Sequence, residues 1–259
     1  NMNPSLGFLV CGLEHSGTTM VSELFREHPK ADSGFECGVL LCKTPSEFLT
    51  FEPFCKHMYV GWGIDHDDLS YACSARSFQN FYQRLFERSK SIKEKSPSII
   101  FDKTPRYITH LSEVQQRLNR PVIAVIKDPR SLALSDYKRS KRPLEEIDSW
   151  YEEWKNPKMA YMRSAYEGYH HAWNTKNCHV VRLEDLCFNA KATVEDMFEF
   201  VGLEFKNEYL NLRNKRFGNT SGSSINVGSC MAFMDGLPER IQDQICSDFS
   251  EFDRWFYPF

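Results

Sequence analysis

Short apolar runs alternating with longer segments of helical periodicity predict an α/β fold, with a parallel sheet covered by helices on both faces. Three observations carry the prediction. The strand-like runs at 6–11, 99–101, 122–126 and 179–181 are continuously apolar or nearly so, as strands buried on both faces must be. The segments between them repeat apolar residues at three- and four-residue intervals, the period of a helix packed by one stripe. Each run also ends in a polar cluster, where open α/β sheets bind their ligands. The 259 residues are 41% hydrophobic and 26% charged, enough for one large core. No repeat, low-complexity tract or long linker divides the chain, so residues 1–259 are read as a single domain.

The first element is Leu6 to Cys11, interrupted only by Gly7. It leads through Gly12-Leu13-Glu14-His15-Ser16-Gly17-Thr18-Thr19 into an amphipathic helix that stops near Pro29. Strand, glycine turn and helix start together form a phosphate cradle. The first N–H groups of the helix have no partner within it, its dipole is positive there, and glycine lets an anion approach the backbone. The loop has the outer spacing of the triphosphate-binding G-x-x-x-x-G-K-[ST] motif, but Thr18 stands where the lysine belongs. A nucleotide-kinase-like P-loop fold with a nucleotide lacking a triphosphate tail is therefore expected. The runner-up is a nucleotide-dependent kinase acting on a small molecule, with Asp102 or Asp128 as magnesium ligand. An ordinary strand-turn-helix connection with incidental glycines is the plainest alternative.

Lys30 to Leu41 reads as a short second strand leading into a functional loop that carries Glu36. Residues 42–96 are rich in aromatics and read as a helical insertion near an acceptor site, with a helix over 77–88 whose aromatics belong mostly to the core. A third strand, 98–102, leads to Lys103-Thr104-Pro105-Arg106, then a helix with Leu111, Val114 and Leu118. The cleanest strand, 121–126, leads to Lys127-Asp128-Pro129-Arg130 and a helix bearing Ser135. A long helical region follows over 144–174. The strand around His179-Val180-Val181 ends in Arg182-Leu183-Glu184-Asp185-Leu186, and a helix carries Val194, Met197, Phe198 and Val201. Residues 213–228 are a polar loop, and a last helix starts at Pro238.

Composition excludes some function classes. A formal charge of −3 gives no reason to expect a nucleic-acid partner. The nine cysteines are odd in number and form no Cys-x-x-Cys pair, so reduced thiols in a reducing compartment are expected rather than a disulfide frame or a zinc site. No secretory leader is visible and no apolar run approaches the roughly 18 residues of a membrane span. A soluble cytoplasmic protein without a membrane partner is the expectation.

The glycine loop resembles the 5′-phosphosulfate loop of the sulfotransferases that use 3′-phosphoadenosine 5′-phosphosulfate (PAPS). Gly12, Ser16, Gly17, Thr18 and Thr19 match, while His15 replaces a usual Arg or Lys. Lys127-Asp128-Pro129-Arg130 with Ser135 resembles the family's 3′-phosphate signature, with Lys in place of the usual Arg. Lys215-Arg216-Phe217-Gly218 resembles the basic loop that closes over PAPS, and the segment 182–186 matches another family segment. The resemblance runs from Gly7 to Pro238. The spacing through His28-Pro29 to Gly34-Phe35-Glu36 is most similar to the tyrosylprotein sulfotransferases, and the chain is taken as a soluble bacterial relative.

The resemblance implies sulfuryl transfer from PAPS to a hydroxyl or amine acceptor, leaving 3′-phosphoadenosine 5′-phosphate (PAP) and requiring no metal. Gly12, His15, Ser16, Gly17, Thr18 and Thr19 would hold the 5′-phosphate, Lys127 and Ser135 the 3′-phosphate, and Arg216 would bind PAPS from the basic loop that closes over it. Lys103 and His15 would offset charge on the moving sulfuryl. Glu36 would be the base, with His15 its competitor. The acceptor is expected to be a small molecule, a carbohydrate or a peptide; the density of aromatics favours a phenol, sugar or lipid-like hydroxyl.

Overall fold

The computed structural model describes residues 4–212 and 231–258. Five parallel strands, β1 (Ser5–Gly12), β2 (Ala31–Asp32), β3 (Ile99–Lys103), β4 (Val122–Ile126) and β5 (Cys178–Arg182), lie in the order β2-β3-β1-β4-β5. The central strand β1 is therefore flanked by β3 and β4, and the segments leaving all three strands emerge together at one edge. The helices are α1 (Thr18–Arg26), α2 (Phe54–Gly61), α3 (His66–Cys73), α4 (Phe78–Arg88), α5 (Lys90–Lys95), α6 (Leu111–Arg117), α7 (Pro129–Ser140), α8 (Ile147–Ser164), α9 (Tyr166–Trp173), α10 (Leu183–Phe188), α11 (Ala190–Val201), α12 (Ala232–Gly236) and α13 (Glu239–Asp248).

Strand residues alternate between two cores. In β4, Val122, Ala124 and Ile126 face the larger core while Ile123 and Val125 face the smaller one. In β1 the alternation slips once: Leu6 and Phe8, two residues apart, face opposite cores. The register with β3 shifts between them, so Gly7 is the extra residue of a bulge. The smaller core stacks Phe8 on Phe101 at 4.8 Å and Phe25 on Phe198 at 5.0 Å. Within 42–96, Phe48, Phe54, Trp62, Phe78, Phe81, Tyr82 and Phe86 are all buried in the larger core, so these aromatics serve packing.

The expected short second strand is Ala31–Asp32, and the apolar Val39–Leu41 forms a 3₁₀ turn. Seven described cysteines are free, but Cys187 is disulfide-bonded, so the all-reduced reading fails there; an odd count requires one unpaired thiol but does not forbid a bridge. Lys215-Arg216-Phe217-Gly218 lies outside the described residues. Among the described residues no helix is long and apolar enough to cross a membrane.

Candidate active site

The loop between β1 and α1 is shaped by what surrounds it. A Cβ on Gly12 would stand 2.4 Å from the Val125 carbonyl, and Gly17 adopts φ 104° against Leu183. His15 takes φ 65° without being glycine. Two distant tyrosines hold the loop. Tyr169 accepts the Leu13 N–H at 3.0 Å and donates to the Val125 carbonyl at 2.6 Å; Tyr161 accepts the Glu14 N–H at 3.4 Å.

Not every donor of the loop faces outward. The Ser16 N–H and hydroxyl both donate to the Leu13 carbonyl, at 3.2 and 2.5 Å. Ser16 therefore braces the turn. Gly17 caps α1 without a side-chain hydrogen bond, no acidic residue occupies the first turn, and Val21 is the first N–H to bond back, to Gly17 at 3.0 Å. The N–H groups of Thr18 and Thr19 thus lie in the unpaired first turn, at the positive end of the dipole.

Lys127 follows β4 directly. Its Nζ donates to Ser135 Oγ at 2.9 Å and to the His15 carbonyl at 3.3 Å, so the structure brings Lys127, Ser135 and the loop together. Burial pushes its pKa down to about 8, against the attraction of Glu184. Glu184 accepts the Asp128 N–H at 2.8 Å and so fixes the turn that presents Lys127; burial raises the Glu184 carboxyl. The His15 ring is exposed at the mouth of the loop. Partial desolvation, with Arg139 and Lys158 nearby, lowers its pKa. Asp136 binds those two cations, Lys158 at 2.9 Å, and accepts from Trp154 at 2.8 Å.

Arg130 faces away from an anion role. It makes a bidentate pair with Asp128, at 3.0 and 2.7 Å, and stacks on Phe233 and Phe256. Asp128 also accepts the Tyr257 N–H at 2.9 Å.

On the other side of β1, Lys103 is the last residue of β3 and pairs in register with Val10. Its Nζ lies 3.6 Å from the Glu36 carboxylate and 5.2 Å from the centre of the Phe35 ring. Burial raises the Glu36 pKa, opposed by Lys103 and His57, and burial lowers that of Lys103, opposed by Glu36. His57 of α2 meets Phe35 edge-on at 5.4 Å, and its buried Nδ1 has no hydrogen-bond partner among the described residues. The structure thus groups Glu36 with Lys103, and His15 with Lys127.

Neither aspartate offered for magnesium is available. Asp102 accepts three hydroxyls and Asp128 is bound to Arg130 and Tyr257, both carboxylates being fully buried. No group of metal-ligating side chains occurs among the described residues. Sequence reasoning missed Tyr161, Tyr169, Asp136, Lys158 and His57. Asp136 directly follows Ser135 on α7, whereas the other four reach the site from distant helices, and no local motif marks such a residue.

The sulfotransferase family model matches residues 8–207. No curated protein gives a significant sequence match. Among solved structures, the sulfotransferase domain of the Synechococcus PCC 7002 olefin synthase is 14% identical with a TM-score of 0.60, covering 100% of this chain and 97% of that one. The sulfotransferase domain of the curacin biosynthetic pathway is 14% identical with a TM-score of 0.62, covering 96% and 99%. A sulfotransferase from Alicyclobacillus acidocaldarius is 12% identical with a TM-score of 0.53, covering 95% and 92%. These likenesses extend to the fold. The match is to the family as a whole and does not single out the tyrosylprotein branch.

Proposed function

The chain belongs to the sulfotransferase family, and on that premise we propose that it transfers a sulfuryl group from PAPS to a hydroxyl or amine acceptor. The observation that carries this reading is the pairing, along one sheet edge, of two unlike lysine sites. Beside the glycine loop, Lys127 has, among the described residues, a hydroxyl and a carbonyl for hydrogen-bond partners. Across β1, Lys103 is held against a carboxylate. The first is suited to a phosphate, the second to a proton acceptor with its counter-charge.

The residues divide the work. The N–H groups of Thr18 and Thr19, with the close approach that Gly12 and Gly17 allow, bind the 5′-phosphate. Lys127 and Ser135 bind the 3′-phosphate, and Arg216 belongs with them by its motif. When bound, PAPS supplies the sulfuryl group, whose bond to the bridging phosphate oxygen breaks as the acceptor's bond to sulfur forms, the electron pair leaving with PAP. Glu36 receives the acceptor's proton. Lys103 and His15 offset charge on the sulfuryl oxygens. Sulfuryl carries less charge than phosphoryl, so the lysines suffice without a divalent metal. The insertion 42–96 borders the acceptor: its α2 sets His57 against Phe35, next to the base.

Calorimetry with metal-free protein tests the donor. PAP should bind more tightly than ADP and without magnesium. Equal affinities would remove the 3′-phosphate assignment.

A further inference from the structure

We propose that Asp102 is a positioning residue for Glu36, acting through Thr104 and Tyr107; this rests on the reading of Glu36 as the base. The loop after Glu36 would otherwise have few anchors, since it joins a two-residue strand to a 3₁₀ turn. Its N–H groups instead converge on two hydroxyls. Cys37 and Gly38 both donate to Thr104 Oγ1, at 3.2 and 3.0 Å, and Leu40 donates to the Tyr107 hydroxyl at 3.3 Å.

The direction of every bond is then fixed. A backbone N–H can only donate, so the Thr104 oxygen is used as acceptor twice and its single proton must go elsewhere. It goes to Asp102 Oδ1 at 2.7 Å. Asp102 Oδ2 takes the hydroxyls of Tyr107 at 2.7 Å and Tyr82 at 2.6 Å. Asp102, Thr104 and Tyr107 have no exposed surface and Tyr82 has 1%. In such a dry site an unsatisfied group is costly, so the arrangement is rigid.

The placement along β3 gives the hub its purpose. Asp102 and Thr104 flank Lys103, and strand alternation sends Lys103 to the opposite side. Lys103 grips the Glu36 carboxylate at 3.6 Å, while Thr104 grips the main chain one residue beyond it. Consecutive residues of one strand end therefore fix Glu36 at both its side chain and its backbone.

Thr104→Val removes the shared oxygen and keeps the shape. It should leave PAP affinity within about twofold but cut turnover by about 10- to 100-fold, the effect of displacing a reacting group by about 1 Å. Thr104→Ser should restore turnover. The direct readout is the Glu36 carboxyl, titrated by carbon NMR and assigned with Glu36→Gln. In Thr104→Val its raised pKa should fall toward the ordinary carboxylate value, because the released loop hydrates it. Should Thr104→Val not fold, Tyr107→Phe, which frees the Leu40 N–H and one Asp102 lone pair, should move the titration the same way by less. An unchanged Glu36 titration in the folded variant overturns the positioning role. A shifted titration with full turnover retained by Glu36→Gln keeps the positioning role and removes Glu36 as the base.

Discussion

Lys127 and Lys103 end neighbouring segments on either side of β1, and both are largely buried. Their partners differ. Lys103 has a carboxylate at 3.6 Å. Lys127 has a hydroxyl, a carbonyl and, among the described residues, no salt-bridged carboxylate; the glutamate that favours its charge, Glu184, spends its bonded oxygen on the Asp128 N–H. The pair teaches how one sheet edge can serve two chemistries. A cation neutralised from within is suited to holding a carboxylate in place, whereas a desolvated cation without a salt-bridged partner is suited to an arriving anion.

Breaking the neutralised side should have the largest effect. Glu36→Gln keeps size and hydrogen bonding but not basicity, and should lower turnover by about 10²–10⁴, with PAP affinity little changed by calorimetry. His15→Asn should cost much less, since His15 groups with Lys127. If His15→Asn abolished turnover while Glu36→Gln kept most of it, the roles would be reversed.

On the other side, a hydrogen bond to a charged group is worth about 1.5–3 kcal/mol. Lys127→Ala should therefore weaken PAP by about 10- to 100-fold and leave ADP nearly unchanged. Equal weakening of both nucleotides would mean a misplaced site.

The same lysine sets a pH dependence. With its pKa near 8 in the free protein, Lys127 is charged below that pH and must take up a proton to bind PAP above it. PAP affinity should fall above pH 8, by up to about tenfold per unit. It should also weaken below about pH 6, as the terminal phosphate protonates. Lys127→Arg should flatten the alkaline limb while still binding, because guanidinium does not titrate there.

The smallest effect sharpens the contrast. A lysine whose pKa is lowered by folding costs stability at pH 7, and that cost fades as pH rises from 8 toward the unfolded value. Lys127→Met should thus raise the Tm of the ligand-free protein by about 2–4 °C, the shift from about 1 kcal/mol in a domain of this size. At the same concentration PAP should raise the Tm of the wild type by more than that of the variant. A lower Tm for Lys127→Met would show that Lys127 is not a strained charge.

What the sequence revealed follows from how local each signal is. The strand runs at 122–126 and 179–181 are apolar on both faces and could be read directly. The glycine loop and the Lys127–Ser135 spacing lie within one strand-turn-helix unit, so the motif carries its own geometry. The bond from Ser16 to Leu13 could not be read there, because it is a detail of the turn and not of its pattern. Val39–Leu41 has the composition of a strand, but Leu40 and its neighbours bond to hydroxyls and a 3₁₀ turn instead of a ladder. Tyr169 and Leu13 are 156 positions apart, a contact that no periodicity could announce.

The two halves of the site also differ in how much chain each one needs. The base loop is anchored by residues up to Tyr107, through contacts spanning 66 and 67 positions. The turn that presents Lys127 depends on Asp128, which is bound by Tyr257 across 129 positions. Tyr107 and Tyr257 are separated by 150 residues (257 − 107). At about 5–20 residues per second, a ribosome takes roughly 8–30 s to cross that interval. All the anchors of the Glu36 loop are therefore synthesised well before the last anchor of the turn that presents Lys127.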